Sequence, residues 1–220
     1  MGAYKQAVAF LDKGNRKALF VTVPSILIDY FFVGFNLYLG FVMASVWHVM
    51  LSFYYIFLLL LRNAVIFRAG RAIISKDMAK RQLKNHHRFG FQLLLMDIIM
   101  AVSMYIMLQN RIAKPFNMLL IIPIALYTVY KVIMAVINLF KAHKSKSMFI
   151  IELRKICQVD ALISILMLES ALINRFGDLR DVVFYNISLI SGIVVCLIIF
   201  ILAVTSLFKK AEDPLLTTKF

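Results

Sequence analysis

The sequence predicts an all-α polytopic membrane protein, a bundle of six transmembrane helices in one domain over 1–220 with both termini cytoplasmic. Three observations predict it. Hydrophobic residues make up 62% of the 220-residue chain and charged residues only 16%, with a mean hydropathy of +0.86. A soluble domain carries about a quarter of its residues as charges, because its surface faces water. The apolar residues fall in runs long enough to cross about 30 Å of hydrocarbon, which takes about 20 helical residues. Basic residues then gather in alternate loops between those runs, as the positive-inside rule requires. With 8 Gly, 4 Pro and 2 Cys, the disordered, collagen-like and disulfide-scaffold classes are excluded.

From Ala18 to Leu61 the only formal charge is Asp29. A single helix over that stretch would reach about 66 Å at about 1.5 Å per residue, far more than one crossing. It therefore divides into spans 18–39 and 46–67, joined by a tight apolar turn near Gly40 to Ser45. Trp47 and His48 then fall at the membrane interface, where amphipathic rings settle. The first apolar run exceeds a secretory signal core of about 7–15 residues and no small-x-small site follows it, so it reads as a membrane helix. Met1-Gly2-Ala3-Tyr4-Lys5-Gln6 lacks the Ser or Thr of a myristoylation signal.

Residues 68–88 carry Arg68, Arg71, Lys76, Lys80, Arg81, Lys84 and Arg88. Asp77 and Arg81 stand four apart, a helix-compatible ion pair, and Ile66, Ala69 and Ile73 form a short apolar stripe, interrupted by Gly70. The pattern predicts a basic cytoplasmic helical extension of the second span, facing anionic lipid. His86 and His87 point about 100° apart on a helix with no third ligand nearby, so no metal is expected there. The third span covers 89–109. Pro115 signals the start of the fourth, 115–140. The fifth covers 156–176, and the sixth, 182–208, contains no charged residue.

With the N-terminus inside, only Arg111, Lys114, Arg175 and Arg180 fall in outer loops, and Arg62 and Lys131 lie within spans. The other bases fall on the cytoplasmic side, and five or seven spans would break that alternation. The formal net charge of +14 would suggest nucleic acid in a soluble chain. Here it reads as topology signal and phospholipid contact, with no nucleic-acid partner. Cys157 and Cys196 lie in apolar stretches and read as small buried hydrophobes.

Ionisable groups within hydrocarbon cost about 2.5–3.5 kcal/mol each on insertion scales, so they need partners or water. Asp29, Arg62, Asp97, Lys131 and Asp160 share the inner-to-middle depth of the predicted spans. Helical spacing puts His48, Ser52, Tyr55 and Arg62 on one face, Tyr127, Lys131, Met134 and Asn138 on another, and Ser25, Asp29 and Asn36 on a third. Polar stripes of this kind turn toward protein or water. Pro24 and Pro123 can free backbone carbonyls to line the same interior.

One expectation is structural, with Lys131 paired to Asp97 or Asp29 and Arg62 to Asp160. The other is an ion or solute path in which Lys131 is the anion-binding or gating charge and an acid carries a proton. Glu169 lies on the opposite face of helix five from Asp160, with Asn186, Ser188 and Ser191 as expected neighbours, a lone proton-titrating carboxyl. At an offset of 102 residues Asp29 falls on Lys131 and Asn36-Leu37 on Asn138-Leu139, the arithmetic of an inverted repeat of three helices.

No protease, hydrolase, nucleotide-binding, redox or potassium-filter motif is present, so neither an enzyme nor a cofactor is expected. The segments Ala125-Leu-Tyr-Thr-Val-Tyr-Lys131, Ala135-Val-Ile-Asn-Leu139, Ala161-Leu-Ile-Ser-Ile-Leu-Met-Leu-Glu169 and Phe176-Gly177 resemble a family of small multipass membrane proteins of anaerobic Gram-positive bacteria. The resemblance covers mainly 120–177. It implies a bacterial plasma membrane and carries over no catalytic residues.

The expected function is a small transporter or channel-like protein with Asp29, Arg62, Asp97, Lys131 and Asp160 at its polar centre. The alternative is a non-transporting scaffold or accessory subunit of a larger membrane complex. A homodimer or a partner membrane subunit fits either. A water-accessible cavity reaching Lys131 from the cytoplasm points to transport; dry, fully paired charges point to the scaffold.

Overall fold

The computed structural model describes residues 13–43, 45–74, 78–110, 118–142, 148–177 and 181–208. Side chains are described over the narrower ranges 26–42, 45–68, 85–109, 121–140, 150–177 and 181–208. These residues form six helices and no strand: α1 Lys13–Met43, α2 Val46–Ile74, α3 Met78–Asn110, α4 Met118–Ala142, α5 Met148–Phe176 and α6 Val182–Leu207. Five carry apolar stretches long enough to cross a bilayer: Val46–Arg68, Asn85–Gln109, Ile121–Phe140, Ile150–Phe176 and Val182–Leu207. Within the 31-residue α1 the described apolar run is shorter, Ile26–Val42. The chain is an all-α membrane-embedded bundle.

The polarity of the bundle is reversed relative to a water-soluble protein. Leu27, Phe31, Phe53, Leu60, Leu126, Ile190 and Ile201 are exposed, whereas Asp29, Arg62, Lys131 and Asp160 are buried. Outward apolar side chains suit hydrocarbon, and inward polar ones must satisfy each other. Buried Leu58, Leu61, Val65, Phe89, Leu93, Met96, Ile156, Val159, Ile163 and Ile199 form the apolar core around those charges.

Between α1 and α2 the chain reverses in two residues. Ser45 N donates to the Gly40 carbonyl at 3.0 Å, and a Cβ on Gly40 would stand 3.1 Å from Val49 N, so glycine permits the close approach. Trp47 and His48 are buried at this turn, with 5% and 3% of their surface exposed. The reason is local. His48 Nδ1 shares a hydrogen bond with Ser45 Oγ at 2.9 Å, which folds the imidazole back onto the turn.

The third and fifth helices start earlier than their apolar runs do, at Met78 and Met148. Near these starts the two helices meet through a buried tertiary pair, His86 with Glu152, which periodicity does not reveal. Of the expected extension, the backbone is helical to Ile74 and again from Met78, while the Asp77–Arg81 pair lies outside the described residues.

Helix α1 packs chiefly on α2, α4 on α5, and α3 on α6, with α2 also against α3. The two three-helix halves therefore pack in the same order. At α3–α6 each helix presents a glycine to the other. A Cβ on Gly90 would stand 2.9 Å from Leu207 Cγ and 3.1 Å from the Ala203 carbonyl oxygen, and Gly192 meets the Met104 side chain. These glycines are separated by 102 residues, the same offset that relates Asp29 to Lys131.

Candidate functional site

Four helices each contribute one charged side chain to a closed ring. Arg62 Nη1 of α2 lies 2.6 Å from Asp29 Oδ2 of α1, and Arg62 Nη2 lies 3.6 Å from Asp160 Oδ2 of α5. Lys131 Nζ of α4 donates to Asp160 Oδ1 and lies 3.8 Å from Asp29 Oδ1. Each acid faces both bases, and each base faces both acids. None of the four exposes more than 6% of its surface. Two positive and two negative formal charges cancel, which is how such a group is tolerated away from water.

Three aromatic rings close over the ammonium. Lys131 Nζ lies 4.4 Å from the Tyr127 centroid, 4.9 Å from Tyr55 and 5.3 Å from Phe32. Phe32 and Tyr127 stack at 4.2 Å, and Phe32 lies 5.7 Å from Tyr55. Ring faces are electron-rich, so the cage attracts the cation and excludes water from it. Beside it the Thr128 hydroxyl is shared between the Ile124 carbonyl at 2.8 Å and the Ser164 carbonyl at 3.1 Å. Ser164 Oγ in turn donates to the Asp160 carbonyl at 2.8 Å.

The tightest contacts are thus Arg62 to Asp29 and Lys131 to Asp160. The expected Lys131–Asp29 and Arg62–Asp160 contacts exist as the longer sides of the ring. Asp97 is outside it: this carboxyl lies beside the Cys196 thiol of α6. Helix α3 packs on α2 and α6 and not broadly on α4, so the similar depth of Asp97 and Lys131 does not bring them together. Asn138, two turns from Lys131, is half-buried and takes no part in the ring. Pro123 lies within α4 with its ring exposed, and the side chain of Pro24 lies outside the described ones. Glu169 is half-buried and accepts a hydrogen bond from Ser191 Oγ at 2.8 Å.

A second polar group lies nearer the α2–α3 end of the bundle. His86 Nδ1 and Glu152 Oε1 are 3.0 Å apart, both buried. Arg68 donates to Gln92 Oε1 at 2.6 Å and to the Asn85 carbonyl at 3.4 Å. On α5, Lys155 reaches the end of α6, donating to the Leu202 carbonyl at 3.1 Å and Ser206 Oγ at 2.6 Å. A cation in the last turns of a helix is also favoured by the negative end of its dipole. Sequence reasoning missed Glu152, which was the one acid in an otherwise basic loop, and it read Lys155 as a loop residue.

Between the ring and the α1–α2 turn, Asn36 Oδ1, Trp47 Nε1 and Tyr54 Oη are buried and make no hydrogen bond within the protein. Between the ring and His86–Glu152 the lining is aliphatic and aromatic, with Val65, Phe89, Leu93 and Ile156 fully buried.

No protein family model, curated protein or solved structure matches the chain.

Proposed function

We propose that the protein is a small membrane transporter or channel-like protein that moves an ion or small solute through the site formed by Asp29, Arg62, Lys131 and Asp160. The observation that carries the reading is position: the ring draws one charge from each of α1, α2, α4 and α5, the equivalent helices of two halves packed in the same order. Transporters built from inverted repeats place their sites where the halves meet. A ring serving packing alone would be an expensive device, since apolar residues of similar volume fill such a place at least as stably.

The ring is closed, so this conformation is an occluded one. On this reading water or solute enters from the α1–α2 turn and not from the cytoplasmic side first expected; the unpartnered buried polar atoms of Asn36, Trp47 and Tyr54 support it, while His86 Nε2 and Glu152 Oε2 at the opposite end are unpartnered as well. The apolar layer of Val65, Phe89, Leu93 and Ile156 forms the seal on the other side. Placement in a bacterial plasma membrane with cytoplasmic termini belongs to the same proposal, supported by the distribution of bases and the family resemblance.

The scaffold reading is favoured by one observation, the complete mutual compensation of the four charges. A Ser164→Cys variant in a Cys157→Ser, Cys196→Ser background separates the two. Ser164 is 2% exposed and adjoins Asp160 and Thr128. Transport predicts that a membrane-impermeant methanethiosulfonate labels this cysteine in native vesicles. If only unfolded protein is labelled, the ring is a permanent lock and the scaffold reading replaces transport.

A further inference from the structure

The surroundings of Lys131 Nζ are those of a receptor for an ammonium ion. Two carboxylates, Asp160 and Asp29, and three aromatic faces, Tyr127, Tyr55 and Phe32, converge on one nitrogen within a sealed volume. Carboxylate and aromatic faces together are the chemistry by which proteins recognise alkylammonium cations. Only one of the three rings, Tyr127, belongs to the helix that carries the lysine. The rest of the receptor is built by α1, α2 and α5.

Helix α4 packs broadly on only one other helix. It packs chiefly on α5, and its tie to α1 includes the Phe32–Tyr127 stack and the Lys131–Asp29 contact. Withdrawal of Lys131 from the ring would leave Asp29, Asp160, Arg62, Phe32 and Tyr55 in place. With both carboxylates ionised, that remnant carries one net negative charge. It matches a monovalent cation with one ammonium head.

We infer that Lys131 is a tethered occupant of a binding site for small alkylammonium cations, and that a free amine of this class displaces its Nζ from Asp160, Asp29 and the aromatic cage. The inference rests on the transport reading and supplies its substrate class. Exchange of one ammonium for another keeps the ring neutral at every stage, so the carboxylates are never left buried and uncompensated. No bond is made or broken. Because the lysine competes intramolecularly, at an effective concentration in the millimolar range or above, the native protein binds free amines weakly and Lys131→Ala binds them more tightly.

The test is thermal unfolding of the purified full chain in detergent, titrated with methylammonium, ethylammonium or sodium chloride at matched ionic strength. The wild type is expected to be stabilised by the two amines beyond the sodium control, with saturation. Phe32→Leu in the Lys131→Ala background, where no tethered lysine competes for the same face, raises the half-saturating amine concentration by about 3- to 10-fold, the loss of one cation–π face. Lys131→Ala tightens it by at least about tenfold. If the wild type responds to amines no more than to sodium, or if only Lys131→Ala responds, the cage serves its own lysine and the inference is overturned. Failure here with Ser164→Cys still labelled from water would leave transport standing with a different solute. Failure of both removes the transport reading as well.

Discussion

Phe32 of α1 and Tyr127 of α4 stack with centroids 4.2 Å apart and planes 16° from parallel, joining two helices that do not pack broadly on one another. Both rings also face the Lys131 ammonium. The stack therefore couples the position of α4 to the closure of the charge ring.

Removing either ring should loosen that coupling. Phe32→Leu and Tyr127→Leu are each expected to destabilise the folded protein by about 1–2 kcal/mol, combining lost stacking and lost cation–π attraction. In a double-mutant cycle the pair should be non-additive by about 0.5–1.5 kcal/mol, the part owed to the stack itself. Unfolding in mixed micelles measures both.

The α3–α6 seam makes an asymmetric prediction. At Gly90 an added methyl meets the Ala203 carbonyl oxygen and Leu207 N, backbone atoms that shift only with their helix. At Gly192 it meets the flexible Met104 side chain. Gly90→Ala is expected to cost about 1–3 kcal/mol and Gly192→Ala clearly less, since overpacking is tolerated where a side chain can turn aside. Comparative thermal unfolding decides it.

The six-helix architecture was legible because long apolar runs and alternating bases are one-dimensional signals. The inward turn of Asp29, Asn36, His48, Ser52, Tyr55 and Arg62 was legible for a similar reason: helical spacing places them on shared faces, and all are buried. What the sequence does not carry is which helices are neighbours. Asp97 has the depth to meet Lys131 but sits on a helix packed elsewhere, and Asp160, assigned to Arg62 by depth, lies closer to Lys131. Early helix starts were hidden too, because Glu152 and His86 are polar in sequence and buried only once α3 and α5 meet.

That second pair should behave as a unit. His86→Leu or Glu152→Leu alone leaves a buried polar partner unsatisfied, at a cost of about 1–3 kcal/mol. The double variant is expected to lose less than the sum of the singles, again measured by unfolding in detergent. Additive losses would mean that the two side chains do not meet.

Lys155 should hold the end of α6. With Lys155→Met the Leu202 carbonyl and Ser206 hydroxyl lose a charged donor. Amide hydrogen exchange over 202–208 is expected to accelerate by about tenfold or more, since hydrogen bonds to charged groups contribute about 1.5–3 kcal/mol. Exchange over 182–192, at the far end of the same helix, should be unchanged.

The most direct measurement of the central claim is a pair of double-mutant cycles on folded stability. Lys131→Met and Asp160→Asn should each cost about 3–5 kcal/mol, because each leaves an opposite charge buried without its partner. Combined, they should recover most of one loss, whereas Lys131→Met with Asp97→Asn should simply add. Additivity in the first cycle together with recovery in the second would contradict the ring and place Lys131 against Asp97 instead.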